Sequence, residues 1–273
     1  ETSAIGSDNS SSNSRRNASS GDSPASCLPP GNSHKCAFLR PSPRRQMRTD
    51  MADRKLQVRK KRAAEVISLL RGEYPDVKCA LVYTQPHELL IATRLSAQCT
   101  DKRVNMVTPA LFGRFRTIDE FAAADSAEVG EYIRTCGLYK TKAADIVNMC
   151  VMLRDVYGGR VPDSIEELVK LPGVGRKTAN LIVGDLYGKP AMVCDTHVIR
   201  LSNRLGLADS TDAAVVERQL REVVPPEEGL MFCHRLVHHG RDVCEARAPK
   251  CEVCVLRNVC QSKDKPAVSY RAG

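Results

Sequence analysis

Leu171-Pro172-Gly173-Val174-Gly175-Arg176-Lys177 ends one helix-forming segment and begins another. Ahead of it, Ser164 and Glu167 stand at capping-box spacing, which predicts a short helix over 164–170. Behind it, Ala179, Ile182, Val183 and Leu186 recur at i, i+3, i+4 and i+7, which predicts an amphipathic helix over 176–188. Pro172 cannot continue the first helix, and the two glycines permit a tight turn. The bare backbone of Gly173 and Gly175 can come close to another molecule. The second helix then points unpaired N–H groups out of the turn, as helix ends that bind phosphate do. An ordinary turn between packed helices would use the same glycines. The hairpin 164–188 therefore sets the fold and is a candidate anion site, with Gly173, Gly175, Arg176 and Lys177 at its tip.

The helical period extends to both sides. Ala63, Val66, Ile67 and Leu70 repeat it, as do Ile146, Met149, Cys150 and Leu153. Thr117 with Glu120 reads as a second capping box, Thr211 as an N-cap, and Gly158-Gly159 as a helix stop. No stretch alternates with period two. Met192 to Leu201 is open between strand and buried helix. The fold class expected is all-α, with about ten or more helices.

The 273 residues allow a sizeable core in one or two domains, and 42% hydrophobic with 27% charged residues is an ordinary globular balance. A net charge of +9 suits an anionic partner such as nucleic acid or an acidic membrane surface, and equally a merely soluble basic protein. Aromatics at 4% with no Trp argue against a base-stacking platform for single strands. No apolar run approaches the roughly 20 residues needed to span a bilayer, and no signal-peptide core is evident. Residues 1–53 are rich in Ser, Pro and Arg, a composition expected to form a disordered basic arm. Met51 directly precedes the first periodic segment, so a start there is conceivable from sequence.

Four of the 12 cysteines close the chain as Cys244-x6-Cys251-x2-Cys254-x5-Cys260, within 17 residues. Four thiolates so close can reach one metal centre. Zinc sites usually pair two short knuckles, and this segment has one, Cys251 with Cys254; an iron–sulfur cluster tolerates uneven spacing. Spacing leaves both open. The other cysteines, Cys99 and Cys136 among them, are scattered and read as buried small residues or free thiols, which suits a reducing cytoplasm.

Lys177 falls in the first turn of the second hairpin helix. It reads either as one more phosphate contact or as an amine nucleophile. A helix N-terminus and the neighbouring Arg176 disfavour the ammonium, and burial would add to that. A neutral lysine can attack carbon and form a Schiff base.

Leu171 to Asn180, Val193-Cys194-Asp195-Thr196-His197-Val198 and the terminal cysteines, together with Leu95 to Asp101 and Gly137-Leu138-Tyr139-Lys140, closely resemble the endonuclease III family of helix-hairpin-helix DNA glycosylases. The resemblance covers roughly residues 55–265, in order. It implies base excision DNA repair: Lys177 attacks the sugar C1′ of a damaged nucleotide, the base leaves, and β-elimination cuts the strand. It implies Asp195 as the catalytic carboxylate, helping to deprotonate the lysine and stabilising positive charge on the sugar; without the family, Asp195 reads as a helix N-cap. Gln98 and Leu138 are implied to fill the space of a flipped nucleotide, although read alone Gln98 would be a surface residue and Leu138 a core one. Cys99 departs from the small residue expected after Gln98. His197 is read as structural.

The resemblance further implies one [4Fe–4S] cluster on Cys244, Cys251, Cys254 and Cys260, bracing a DNA-contacting loop rather than taking part in the chemistry. The implied partner is duplex DNA holding oxidised pyrimidines or abasic sites, met by a monomer in the bacterial nucleoid with no membrane. A helical domain over 79–189 and a cluster domain of 55–78 plus 190–268 would flank a DNA cleft. A monofunctional adenine glycosylase lacks the hairpin lysine and carries a further C-terminal domain; Lys177, and a chain that runs 13 residues past Cys260, argue against it. A non-catalytic DNA-binding or redox-sensing module would need neither Lys177 nor Asp195.

Overall fold

Residues 43–263 are described by the computed structural model, and they fold into α1 (Pro43–Glu73), α2 (Pro86–Leu95), α3 (Asp101–Arg114), α4 (Ile118–Ala122), α5 (Ser126–Tyr132), α6 (Tyr139–Asp155), α7 (Ile165–Leu168), α8 (Arg176–Tyr187), α9 (Thr196–Arg204), α10 (Ala213–Val223), a 3₁₀ turn (Pro226–Glu228) and α11 (Gly229–Asp242). There is no strand among the described residues, as the absence of period-two alternation predicts. Met192 to Leu201 divides into an extended segment and the first turns of α9.

Helix α1 takes in residues 43–53, which composition assigned to a disordered arm, and this corrects that boundary. Pro43 is tolerated at the first helical position, and Arg, Gln, Met, Lys and Ala are good helix formers. Propagating a helix outward from the buried face of Ala63, Val66, Ile67 and Leu70 needs no second nucleation. The rest of the arm, and residues 264–268 of the expected cluster domain, lie outside the described residues.

Local signals act largely where they stand. Thr117 Oγ1 accepts from Glu120 N at 3.2 Å and Ser164 Oγ from Glu167 N at 3.3 Å. The return half of each box is spent elsewhere: Glu120 accepts from Arg116 N, and Glu167 accepts from Tyr157 OH and Lys170 Nζ. The cap expected at Thr211 falls on Asp212, whose Oδ1 accepts from Val215 N at 2.9 Å. A carboxylate there also meets the positive end of α10. Past α6, Gly158 and Gly159 adopt φ of 59° and 72°, and Gly159 N closes onto Leu153 O at 2.9 Å.

Two buried clusters hold the helices. One gathers Leu89, Leu95, Leu111, Phe121, Ile146, Leu168 and Ile182 from α2 to α8. The other joins Val66 and Leu70 of α1 to Val198, Leu220, Phe232 and Leu256. Leu181 of α8 packs against both, so the second hairpin helix lies where the clusters meet. No described helix is long and apolar enough to cross a membrane.

Candidate active site

The hairpin tip is set by two glycines with different work. Gly173 has φ of 73°, and a Cβ there would overlap the Arg94 guanidinium and lie 2.9 Å from Asp145 Oδ2. Those two side chains form an ion pair, with Arg94 Nε donating to Asp145 Oδ2 at 2.8 Å. The turn thus rests directly on an α2–α6 bridge. Gly175 is the N-cap of α8, and a Cβ there would meet nothing within 4 Å. Its outer side is open. Helices α3, α4, α5, α7, α9 and α10 begin with a side chain bound to a first-turn N–H, and α8 does not. Its first-turn amides are left facing outward, which is the arrangement that holds phosphate.

Arg176 is engaged across the two clusters. Its Nε and Nη2 donate to Glu217 Oε2 and Oε1 of α10, both at 2.8 Å. Arg221 joins them, donating to Glu217 Oε1 at 3.1 Å and to Asn180 Oδ1 at 2.9 Å. Asn180 Oδ1 also accepts from Met192 N at 3.1 Å, at the start of the segment that leads to Asp195. Burial alone would raise the Glu217 carboxyl, but the two guanidiniums hold it below its ordinary value. The folded pKa being depressed, its stabilisation is present above the usual carboxylate range and is lost as pH falls below that range through the folded pKa. Glu217→Gln is expected to cost about 1–2 kcal/mol at pH 7. The gap in melting temperature from wild type should narrow as the pH is lowered; a gap independent of pH would exclude the ion pair as its cause.

Lys177 and Asp195 line one cavity of about 330 Å³, with Gln98, Cys99, Thr178 and His234. Lys177 is exposed toward it and has no hydrogen bond or ion pair among the described residues. Asp195 is half-buried at the N-terminus of α9, and its Oδ1 accepts from Val198 N at 2.8 Å. The N-cap reading of this residue is correct in itself. The lysine comes from α8 and the aspartate from the segment beyond it. His197 packs on Gly240 and contacts Arg200 Nη2 at 3.1 Å through Nδ1.

Gln98 and Leu138 share an unusual backbone. They have φ of 54° and 58° and are the two non-glycine residues with positive φ among those described. Both side chains are exposed, Leu138 at 62%. A left-handed conformation at such residues costs on the order of 1–2 kcal/mol and persists where the surroundings impose it, often at functional loops. Leu138 is thus not a core residue, as its apolar character alone would suggest.

Cys244, Cys251, Cys254 and Cys260 line one small pocket of about 30 Å³ with Arg204 and Arg257. No three His, Cys, Asp or Glu among the described residues are grouped tightly enough to hold a single metal ion. Nitrogens face the sulfurs: Arg204 Nη1 donates toward Cys244 Sγ at 3.1 Å, and His239 Nε2 lies 3.3 Å from Cys254 Sγ. Burial, then the neighbouring thiols, push Cys254 upward, and Cys251 follows in the same way. A site of four crowded thiols with cationic neighbours is chemically matched to a positively charged soft-metal group, which would remove their mutual repulsion.

Sequence reading did not single out Glu217 or the Arg94–Asp145 bridge. Glu217 stands four residues before Arg221, a detectable helix pair, but its partner on α8 is 41 residues away in sequence.

Comparison with known proteins places this arrangement. Residues 91–226 match the family described as "HhH-GPD superfamily base excision DNA repair protein". Endonuclease III of Synechocystis sp. is 44% identical over 210 residues, covering 77% of this chain and 96% of that protein. Endonuclease III of Escherichia coli is 38% identical over 206 residues, covering 76% and 98%. Among solved structures, a trapped endonuclease III–DNA covalent intermediate with an estranged adenine superimposes with a TM-score of 0.71 at 44% identity, over 74% of this chain and 95% of that one. A thermostable thymine-DNA glycosylase, at 22% identity and a TM-score of 0.64, shares the fold. With a glycine-tipped helical hairpin, a cleft between two buried clusters and this level of identity over nearly the whole of its relatives, the chain belongs to the endonuclease III family of HhH-GPD base excision DNA repair proteins.

Proposed function

We propose that this protein removes oxidised pyrimidines from duplex DNA and cuts the strand at the resulting abasic site, as a DNA N-glycosylase and AP lyase. The observation that carries this reading is the placement of Lys177 and Asp195 on one cavity at the hairpin tip. The Lys177 amine attacks C1′ of the damaged nucleotide. The C1′–N bond breaks and the base leaves with its electron pair. The C1′–O4′ bond then breaks as O4′ takes a proton, which opens the sugar and leaves a protonated imine between C1′ and the lysine nitrogen; the imine acidifies the C2′ proton, and loss of that proton breaks the C3′–O bond and expels the 3′ phosphate. Asp195 takes the lysine proton or balances positive charge on the sugar; its Oδ1 stays on the α9 cap.

The open side of Gly175 and the uncapped start of α8 receive a phosphate near the target nucleotide. Gln98 and Leu138, presented outward on strained backbone, enter the duplex where the nucleotide has left the stack. Arg176 braces the hairpin through Glu217, and its side chain, 57% exposed, remains open to a DNA phosphate. The relative trapped as a covalent DNA intermediate with an estranged adenine is consistent with a lysine adduct and a separated base pair. Duplex DNA is thus the partner, and the nucleoid the place of work for a monomer.

Cys244, Cys251, Cys254 and Cys260 would hold one [4Fe–4S] cluster. Their shared pocket, lined also by Arg204 and Arg257, supports this. The cluster would supply rigidity to the 244–260 loop. Purified protein is expected to be brown, with broad absorbance near about 400 nm; stoichiometric zinc without iron would refute the assignment.

Borohydride added during reaction with abasic duplex DNA tests the function. A covalent adduct and 3′-side cleavage are expected, and a panel of lesion duplexes should show release of oxidised pyrimidines. Binding without adduct or cleavage would instead mark a non-catalytic DNA-binding module.

A further inference from the structure

Behind the two exposed wedge residues lies a pair of thiols that the proposed chemistry does not use. Cys99 follows Gln98 and lines the same cavity as Lys177 and Asp195. Cys136 precedes Gly137 and Leu138 and is fully buried. Cys99 lies near enough to the Cys136 thiol to add to the effect of burial, which pushes Cys136 up to about 11. The loops also touch through their backbones, since a Cβ built on Gly137 would lie 3.9 Å from the Gln98 carbonyl oxygen. Lys142 lies beside both thiols, has no exposed surface and donates from Nζ to Leu95 O at 2.9 Å.

Burial raises the other thiols outside the quartet as well, and they are less favourably placed. Burial pushes Cys150 and Cys194 up to about 12, with no thiol partner beside Cys150. Cys79 also lines the cavity, but burial and then the charge of Asp185 push it up to about 12. Cys233 also lines the cavity with Cys194 beside it, but it is 1% exposed, whereas Cys99 is half-buried and open to the cavity with Cys136 behind it.

We propose that Cys99 and Cys136 are an oxidisable dithiol, whose disulfide, formed by a hydroperoxide, ties the Gln98 and Leu138 loops together and stops their insertion into duplex DNA. The Cys99 thiolate attacks the peroxide: an S–O bond forms, the O–O bond breaks, and the leaving oxygen takes a proton to become alcohol or water. The Cys136 sulfur then attacks the sulfenic sulfur. The S–S bond forms, the S–O bond breaks, and water leaves with the remaining proton. Two thiols are oxidised by two electrons, and the peroxide is reduced by two. A disulfide of about 2.05 Å is much shorter than a contact between thiols, so the two loops must shift toward each other. Both wedge residues sit in a narrow conformational well, and displacement by about 1 Å can cost on the order of 100-fold in rate.

The test uses the full chain with its cluster, treated with hydrogen peroxide, alkylated, digested and mapped by mass spectrometry. A Cys99–Cys136 linked peptide is expected, absent from Cys99→Ser and Cys136→Ser, reversed by dithiothreitol and suppressed by bound abasic duplex. Duplex cleavage by the oxidised protein should fall about tenfold or more and return on reduction. Cys136→Ser, active when reduced, should keep its rate through the same treatment. Absorbance near about 400 nm, followed in parallel, scores cluster loss separately. Wild-type mapping needs no variant to fold. If both thiols are still alkylated after peroxide, the dithiol is not oxidisable and the proposal falls. Linked protein that cleaves at the reduced rate would overturn its consequence for DNA. The cleavage arm rests on the function proposed above, whereas the linked peptide does not, so failure of one is distinguishable from failure of the other.

Discussion

Lys177→Ala is expected to remove the borohydride-trapped adduct completely and to lower strand cleavage at abasic sites by about 10³-fold or more. Its fold should be intact. Lys177 is exposed and has no hydrogen bond or ion pair to lose among the described residues, so its melting temperature should match wild type. Alanine is also a good residue in the first turn of α8. Binding to abasic duplex should weaken only by the loss of one cation, while the uncapped amides of α8 keep their phosphate contact. The companion change at Asp195 has to separate two roles, because this carboxylate also caps α9. Asp195→Asn retains a good N-cap and removes the charge, whereas Asp195→Ala removes both and costs about 1 kcal/mol. If Asn loses cleavage at unchanged stability, the charge is chemical. If Asn cleaves like wild type while Ala is unstable, Asp195 is a cap and nothing more. An adduct that survives Lys177→Ala would transfer the nucleophile to another amine.

Much of this was legible because local sequence signals are local in physics. The hairpin rests on Pro172, two glycines and a helical period, all within its own 25 residues, and it forms where these stand. Caps were readable to within a residue: Asp212 displaced Thr211 because a carboxylate suits a helix N-terminus better than a hydroxyl. Composition misjudged residues 43–53, since it averages over a tail and misses that a helix nucleated on a buried face can extend outward. The pairing of Arg176 was not legible, because its partner is a nearly buried carboxylate on α10 that becomes a neighbour only after the two clusters meet. The outward presentation of Leu138 was equally hidden, because it depends on a positive φ at the start of α6 that an apolar residue does not advertise. The nearness of Cys99 to Cys136 needs two loops brought together by tertiary packing, with Gly137 beside the Gln98 carbonyl.

The two hairpin glycines look interchangeable in sequence, and the structure makes them opposite. Gly173→Ala must place a side chain at φ of 73° and push it into the Arg94 guanidinium and Asp145. The backbone term is about 1–2 kcal/mol for a residue other than glycine in this region. The steric term falls on an ion pair whose side chains are mostly buried, at 13% and 24% exposure, so separating them leaves charges short of partners. Together a loss of about 2–4 kcal/mol is expected, or about 5–15 °C in melting temperature for a protein of this size. Gly175→Ala meets no atom within 4 Å and has φ of −94°, which alanine adopts without strain. Its stability should change by less than about 1 kcal/mol. The added methyl instead occupies the open side from which the backbone would meet a phosphate, so its cost should appear as weaker affinity for abasic duplex. Thermal melts paired with DNA titrations of both variants decide the matter. One variant should lose stability and the other affinity. Equal losses of stability would mean that the turn is only a structural joint, and unchanged DNA affinity in Gly175→Ala would remove the hairpin from the phosphate contact.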